Sequence, residues 1–407
     1  MNHIIYILDS LTPSSLIKSL TKRFSFKKKA NYIDNLSNKS IYFNNVYGHG
    51  ETYGTTFPIF TGKNVYDTYG DAPDIFCSFL SERNIGTHYK ARGYNNIFYR
   101  NCAPDADLSG FYGRYLKNIT KDFDTVCVKK KNQKYNFSNF LNENNLINKK
   151  NKKNFYLIHD MSLHDSAYFR ASLKNYIKCQ NESAELVKKN LELINYNPKK
   201  DFLFFLSDHG LTPHPQAKIF FDDKLKIDIY NKYYRTLFDE EKIKLTFFIK
   251  TPKNTKLNIS EKITSQNIYE IIKIFSKKNY KNSLLKKKNS FFKKFYFYTS
   301  VKDALKSPYN SRFVKNLYHC HFIFFKDKKK YIYSHNYPLC YLKEKNNEYF
   351  SLKEDEVPQE FTELLNKYYS NFNFIKKFFL FYLSLCILIF NKILKIMFKF
   401  NLLKYKI

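Results

Sequence analysis

The sequence contains no tryptophan, and its 407 residues hold only 36 Asp and Glu against 69 Lys and Arg, a formal net charge of +33. The lysines are scattered and rarely gather on one recognisable element. They therefore read as part of the bias that also enriches Phe, Tyr, Ile and Asn, and not as a dedicated basic surface. No RNA- or DNA-binding motif accompanies them, so a nucleic-acid partner is not expected. Cysteine is sparse too: seven, at positions 77, 102, 127, 179, 320, 340 and 386, an odd number without a C-x-x-C pair. This excludes a disulfide framework and a cysteine zinc site, leaving reduced, mostly buried thiols. There is also no signal-peptide pattern at the start, where a strand-like run begins at His3. These absences point to a cytoplasmic protein.

What is present is a globular chain, 43% hydrophobic, long enough for one large α/β domain with appendages. HIIYILD (3–9), SIYFNNVY (40–47), NFYLIHD (154–160) and DFLFFLSDHG (201–210) are short apolar runs of the kind that form buried strands, and most end in polar residues. IKLTFFIKTP (243–252) predicts one more central strand. Apolar residues returning every three or four positions predict helices over 74–84, 183–197 and 265–275. The alternation implies an α/β fold with a mostly parallel central sheet flanked by helices. The catalytic domain is expected over 1–295, with Lys/Asn-rich basic loops at 129–153 and 276–295. Alternating aromatic and polar residues over 296–370 predict a small C-terminal antiparallel subdomain. In 371–407 the apolar run FFLFYLSLCILIF (378–390) precedes lysines spaced three or four apart. The run is short of the roughly 20 residues that cross a bilayer, so an amphipathic helix lying on an anionic membrane surface, the inner face, is expected.

Four clusters carry the chemistry. Asp9 ends the first strand; Thr52 lies in GHGETYGTTFPIFTG (48–62); Asp160 and His164 lie in HDMSLHDSAY (159–168); Asp208 and His209 lie in SDHG. Carboxylates and an imidazole delivered by separate strand ends suit a divalent metal with an open position. Such a metal would also hold the Thr52 oxygen and make its proton easier to lose, so that it can attack phosphorus or sulfur. Thr55 is the alternative nucleophile. Asp160 and His164, spaced D-x-x-x-H, form either a second cation site or, for His164, a contact to the substrate phosphate or the leaving group, with Asp160 then capping the following turn. His159, His214, His319 and His321 are candidates for a further histidine ligand.

The order of these pieces resembles the alkaline phosphatase/sulfatase superfamily: an early strand ending in Asp9, a nucleophile segment ending in Thr61-Gly62, and a late Ser207-Asp208-His209-Gly210. The likeness spans roughly residues 3–275. It implies an alkaline-phosphatase-like fold, a nucleophile nine positions before the T of the T-G ending, which is Thr52, and metal ligands Asp9, Thr52, Asp208 and His209. The implied cofactor is one or two divalent ions, Mn, Zn, Mg or Ca. Two departures stand out. The C/S-x-P-S-R of sulfatases is replaced by Thr52-Tyr53-Gly54-Thr55-Thr56, which points away from formylglycine chemistry. The companion carboxylate after the first aspartate is Ser10, which points to a reduced metal shell. The resemblance implies a hydrolase or phosphotransferase, of phosphodiesterase or transferase type, whose phosphate- or sulfate-ester substrate is a surface glycan or a lipid. The competing reading is a catalytically inactive or nucleic-acid-binding basic protein.

Overall fold

A computed structural model describes residues 1–23, 25, 28–48, 52–63, 84–101, 111–128, 136–146, 153–164, 173–210, 218–221, 225–228, 243–276, 297–301, 319–326, 329–334, 340–345 and 348–370. The first half contains β1 (His3–Leu8), α1 (Ser14–Arg23), α2 (Tyr32–Ser37), β2 (Ile41–Tyr47), α3 (Thr52–Thr61), α4 (Ile85–Lys90), β3 (Asn95–Arg100), α5 (Phe111–Thr120), β4 (Thr125–Val128), α6 (Phe137–Glu143), β5 (Asn154–Asp160) and α7 (Leu173–Leu193). There follow β6 (Phe202–Leu206), β7 (Lys218–Phe221), β8 (Leu225–Asp228), β9 (Lys244–Leu245), β10 (Phe247–Lys250), β11 (Leu257–Thr264) and α8 (Ser265–Phe275). The chain then forms β12 (Phe297–Val301), β13 (His319–Lys326), β14 (Lys329–Ser334), β15 (Cys340–Lys345), β16 (Glu348–Leu352) and α9 (Gln359–Ser370).

The main sheet has the order β11-β2-β10-β6-β1-β5-β3-β4, with β9 added to β2. β1 lies at its centre, parallel to both β5 and β6, and β10 runs antiparallel between β6 and β2. This is the mixed α/β architecture, mostly parallel, that the apolar runs predict. Strands buried on both faces need hydrophobic side chains at every position, and β1 and β6 are buried throughout. Alternate residues then divide between two cores. Ile5, Ile7, Leu157, Phe204 and Leu206 pack on one face, and Tyr6, Leu8, Ile158, Leu203 and Phe205 on the other.

Helix α3 covers the first face, where Phe57, Ile59 and Phe60 join the same core, and α8 packs beside it. Its far end explains the Thr-Gly pair. The Gly62 N–H donates to the Pro58 carbonyl at 2.8 Å, and Gly62 has φ +74°, the left-handed turn that closes helices. A Cβ there would lie 2.4 Å from Cδ1 of Tyr269 on α8. Gly62→Ala is therefore expected to cost about 2–3 kcal/mol, through left-handed strain and overpacking against the ring. Urea unfolding of the two proteins measures it, and an unchanged midpoint would refute this account of the turn.

A second sheet has the order β12-β13-β14-β15-β16-β7-β8. It is antiparallel except where β16 meets β7. Two of its strands, over 218–228, thus come from within the span assigned by sequence to the catalytic domain. The basic stretch 129–153, expected as a loop, contains α6, whose N-cap Asn136 accepts from the Asn139 N–H. The helix expected over 183–197 starts earlier and spans Leu173–Leu193. The helix expected over 74–84 falls, apart from its last residue, outside the described residues, as do nearly all of the basic stretch 276–295 and the tail 371–407. Among the described residues no helix is long and apolar enough to cross a membrane.

Candidate metal centre

The site follows from strand alternation. Asp9 continues the parity of Ile5 and Ile7, His159 that of Leu157, and Asp208 that of Phe204 and Leu206. Register places Ile7 opposite His159 and Leu206, so three ligating side chains leave three adjacent strands on one face and at one edge. Oxygens of Asp9 and Asp208 and a ring nitrogen of His159 lie within 4.8 Å of one another, and among the described residues this is the one group that could hold a metal ion. All three residues are buried. His159 Nε2 stands 3.4 Å from Asp9 Oδ2 and 4.0 Å from Asp208 Oδ2.

His209 approaches from the Asp208 side. Its Nε2 lies 3.6 Å from Asp9 Oδ1 and 3.8 Å from Asp208 Oδ2, while Nδ1 sits 2.9 Å from the Gly210 carbonyl. A carbonyl can only accept, so Nδ1 carries a proton, and Nε2, facing the carboxylates, is the nitrogen that would be offered to a metal. The Thr52 hydroxyl, at the first residue of α3, donates to Asp9 Oδ2 at 3.1 Å. Thr55, the alternative nucleophile, is fully buried one turn further on. It packs beside Gly48, where a Cβ would come within 2.7 Å of the Thr55 hydroxyl oxygen.

The loop after β1 aims both carboxylates. Ser10, at φ +64°, donates its N–H to Asp208 Oδ1 at 3.1 Å and its hydroxyl to Asp9 Oδ1 at 2.8 Å. Buried Tyr176 on α7 fixes this loop at both ends, accepting from the Thr12 N–H at 2.8 Å and donating to the Ser10 carbonyl at 2.9 Å. Ser10 is thus the hydrogen-bonded link between the two aspartates.

Burial alone would raise the Asp9 pKa, but the charges of His164 and His209 and the hydrogen-bonding and charge of His159 outweigh it and hold the carboxyl well below its usual range. Asp208 is pushed well above that range, first by burial and then by the charge on Asp9. Burial, reinforced by the cation of Arg100, brings His159 down to about 4, so it is neutral at pH 7. Arg100, buried at the end of β3 and opposite His159 in register, was missed in the sequence, although it ends a strand as Asp9 does. The ring of His164 lies 6.4 Å from that of His209.

The sequence pairs Asp160 with His164 as a second cation site; the structure turns Asp160 away. Asp160 follows the parity of Ile158, on the opposite face from Asp9. Its carboxylate accepts from Tyr6 Oη at 2.5 Å, Asn101 Nδ2 at 2.8 Å and the Ser162 N–H at 2.9 Å, which makes it a buried turn cap. Of the histidine candidates, His159 joins the cluster. His319 and His321 lie on β13 in the second sheet, and His214 is outside the described residues.

No protein-family model matches the sequence. No curated protein matches it. Solved structures do match. BT4656, in complex with its substrate D-glucosamine-2-N,6-O-disulfate, is 10% identical with a TM-score of 0.56 over 91% of this chain and 98% of its own. BT33494S-sulf of Bacteroides thetaiotaomicron is 11% identical with a TM-score of 0.52 over 90% and 94%. A protein in the alkaline phosphatase superfamily from Vibrio parahaemolyticus is 10% identical with a TM-score of 0.50 over 89% and 83%. The chain has the fold of the alkaline phosphatase/sulfatase superfamily.

Proposed function

We propose that this protein is a metal-dependent hydrolase or transferase of phosphate or sulfate esters that works through Thr52. The observation that carries the reading is the 3.1 Å contact between the Thr52 hydroxyl and Asp9, beside two buried atoms without a well-formed hydrogen bond, Asp208 Oδ2 and His159 Nε2, the latter in only a long 3.4 Å contact with Asp9. Leaving buried polar atoms unpaired costs about 1–3 kcal/mol each. A borderline divalent cation suits this donor set of two carboxylates and imidazole nitrogens, and Asp9, Asp208, His209 and His159 are the residues that would hold it. When bound, it would lower the pKa of the Thr52 hydroxyl and offset negative charge on the transferred group.

The chain's own groups supply the rest. Asp9 orients the Thr52 hydroxyl through their hydrogen bond, and the hydroxyl proton passes to water as the oxygen forms a bond to phosphorus. The bond from phosphorus to the leaving oxygen breaks, and that oxygen takes a proton from His164. Water or an acceptor hydroxyl, giving its proton to the now neutral His164, then attacks phosphorus; the bond to the Thr52 oxygen breaks and that oxygen regains a proton from solvent. The N-terminus of α3, at Thr52, adds the positive end of a helix where an oxyanion develops. A phosphate ester is favoured over a sulfate, because Thr52 cannot become formylglycine. The sulfated sugar named for BT4656 supports a glycan as the ester's carrier.

The test is turnover of p-nitrophenyl phosphate mono- and diesters and p-nitrophenyl sulfate by purified protein with Mn, Zn, Mg or Ca. Hydrolysis is expected with at least one ion and is expected to disappear on chelation. Cleavage that persists in excess EDTA would sink the metal-dependent reading.

A further inference from the structure

A cavity of about 420 Å³ opens between α1, α2 and the starts of β2 and β11. None of its lining residues belongs to the metal centre. Tyr42, which lines it, packs against the core on the opposite face of the main sheet from Asp9. Four lysines converge here from distant parts of the chain: Lys18, Lys28, Lys29 and Lys256. The single carboxylate in the wall, Asp34, is already engaged. It accepts from the Ser14 hydroxyl and from the Asn31 N–H at 3.1 Å, and pairs with Lys28 at 3.1 Å. Among the described residues no carboxylate lies within ion-pair reach of Lys18, Lys29 or Lys256.

Like charges crowded into a concavity repel one another, and low-dielectric walls strengthen the repulsion. Burial, with the like charge of Lys18 adding to it, depresses the pKa of Lys28 although Asp34 opposes the shift. A bound oxyanion would relieve this crowding, and the Ser15 hydroxyl and the Asn38 and Asn258 amides in the wall can donate to its remaining oxygens. The volume falls in the range of small-molecule sites and accommodates a phosphorylated sugar or a pyrophosphate.

We propose that this lysine-lined cavity binds a soluble phosphate-bearing ligand at a site separate from the metal centre. The proposal does not depend on the catalytic reading. A concave pocket suits a free ligand better than a headgroup fixed in a flat bilayer. The test is calorimetric titration of the full chain, after EDTA treatment, with inorganic pyrophosphate. Saturable binding is expected, weakened at least tenfold by Lys18→Ala with Lys256→Ala, retained by Lys18→Arg with Lys256→Arg, and unchanged by Thr52→Ala. Both lysines are exposed, so the variants are expected to fold, and circular dichroism checks this. Absence of saturable binding would overturn the proposal, as would loss with Thr52→Ala but not with the lysine pair. A third adverse outcome is attachment to phosphatidylglycerol vesicles without binding of pyrophosphate.

Discussion

Thr52→Ala is expected to lower kcat/KM on the best p-nitrophenyl ester about 10³-fold, about 4 kcal/mol of transition-state stabilisation, and Thr52→Ser is expected to keep most of the activity. On the proposed mechanism the hydroxyl oxygen is the atom that attacks, and serine supplies the same atom without the methyl group. The expected loss is in kcat as well as kcat/KM, since removing a nucleophile abolishes the covalent route without emptying the binding site. Metal binding, measured separately by titration, is expected to persist in the alanine variant because Asp9, Asp208, His159 and His209 are untouched. The comparison separates roles. An inactive variant that still binds metal identifies a nucleophile, an inactive variant without metal identifies a ligand, and a fully active one removes Thr52 from the mechanism.

The second large effect concerns acid stability. His3 is buried among Tyr89, Tyr94, Phe202 and Phe204, with Nδ1 2.9 Å from the Tyr89 hydroxyl. Burial, with the N-terminal ammonium and Arg92 adding to it, lowers its pKa from 6.5 to about 3. The folded-state pKa is depressed, so the unfolded chain binds a proton that the folded chain refuses. Stability is therefore intact above pH 6.5 and is lost as pH falls toward 3. At 1.36 kcal/mol per pH unit this group alone accounts for about 3 kcal/mol by pH 4. His3→Gln, neutral at every pH and still able to meet Tyr89, is expected to flatten the decline of unfolding free energy by about one proton's worth of slope between pH 6 and 4. Parallel slopes in urea titrations of the two proteins would show that His3 is not the group responsible.

Much of this molecule is legible in its residues because the physics that makes it is local. Runs such as 3–9 and 202–206 are too apolar to sit anywhere but in a covered sheet, and the polar residues that end them lie at one edge. Asp9, Asp208 and His209 were singled out on that ground, and Thr52 only through the family resemblance, which counts nine positions back from Thr61. What was not legible is which face a strand-end residue takes. Asp160 and Asp9 end similar runs, yet one step of alternation separates them, and the β1–β5 register puts His159 on the side of Asp9 while Asp160 turns to Tyr6. Register is set by pairing between distant segments, so no inspection of 154–160 alone could choose between neighbours. The same non-locality hid the second sheet, whose hairpin at 218–228 joins it through β7, paired with β16 more than a hundred residues later.

Helix α3 acts as a ruler. Its first residue carries the hydroxyl that meets Asp9, and its last is followed by the glycine wedged against Tyr269, so the nine-residue interval is the length of a rod anchored at its rear. Inserting one residue into it would swing the tip by about 100° and advance it about 1.5 Å, carrying Thr52 off Asp9. The interval is a mechanical tolerance, and the glycine at one end guards the reach of the oxygen at the other.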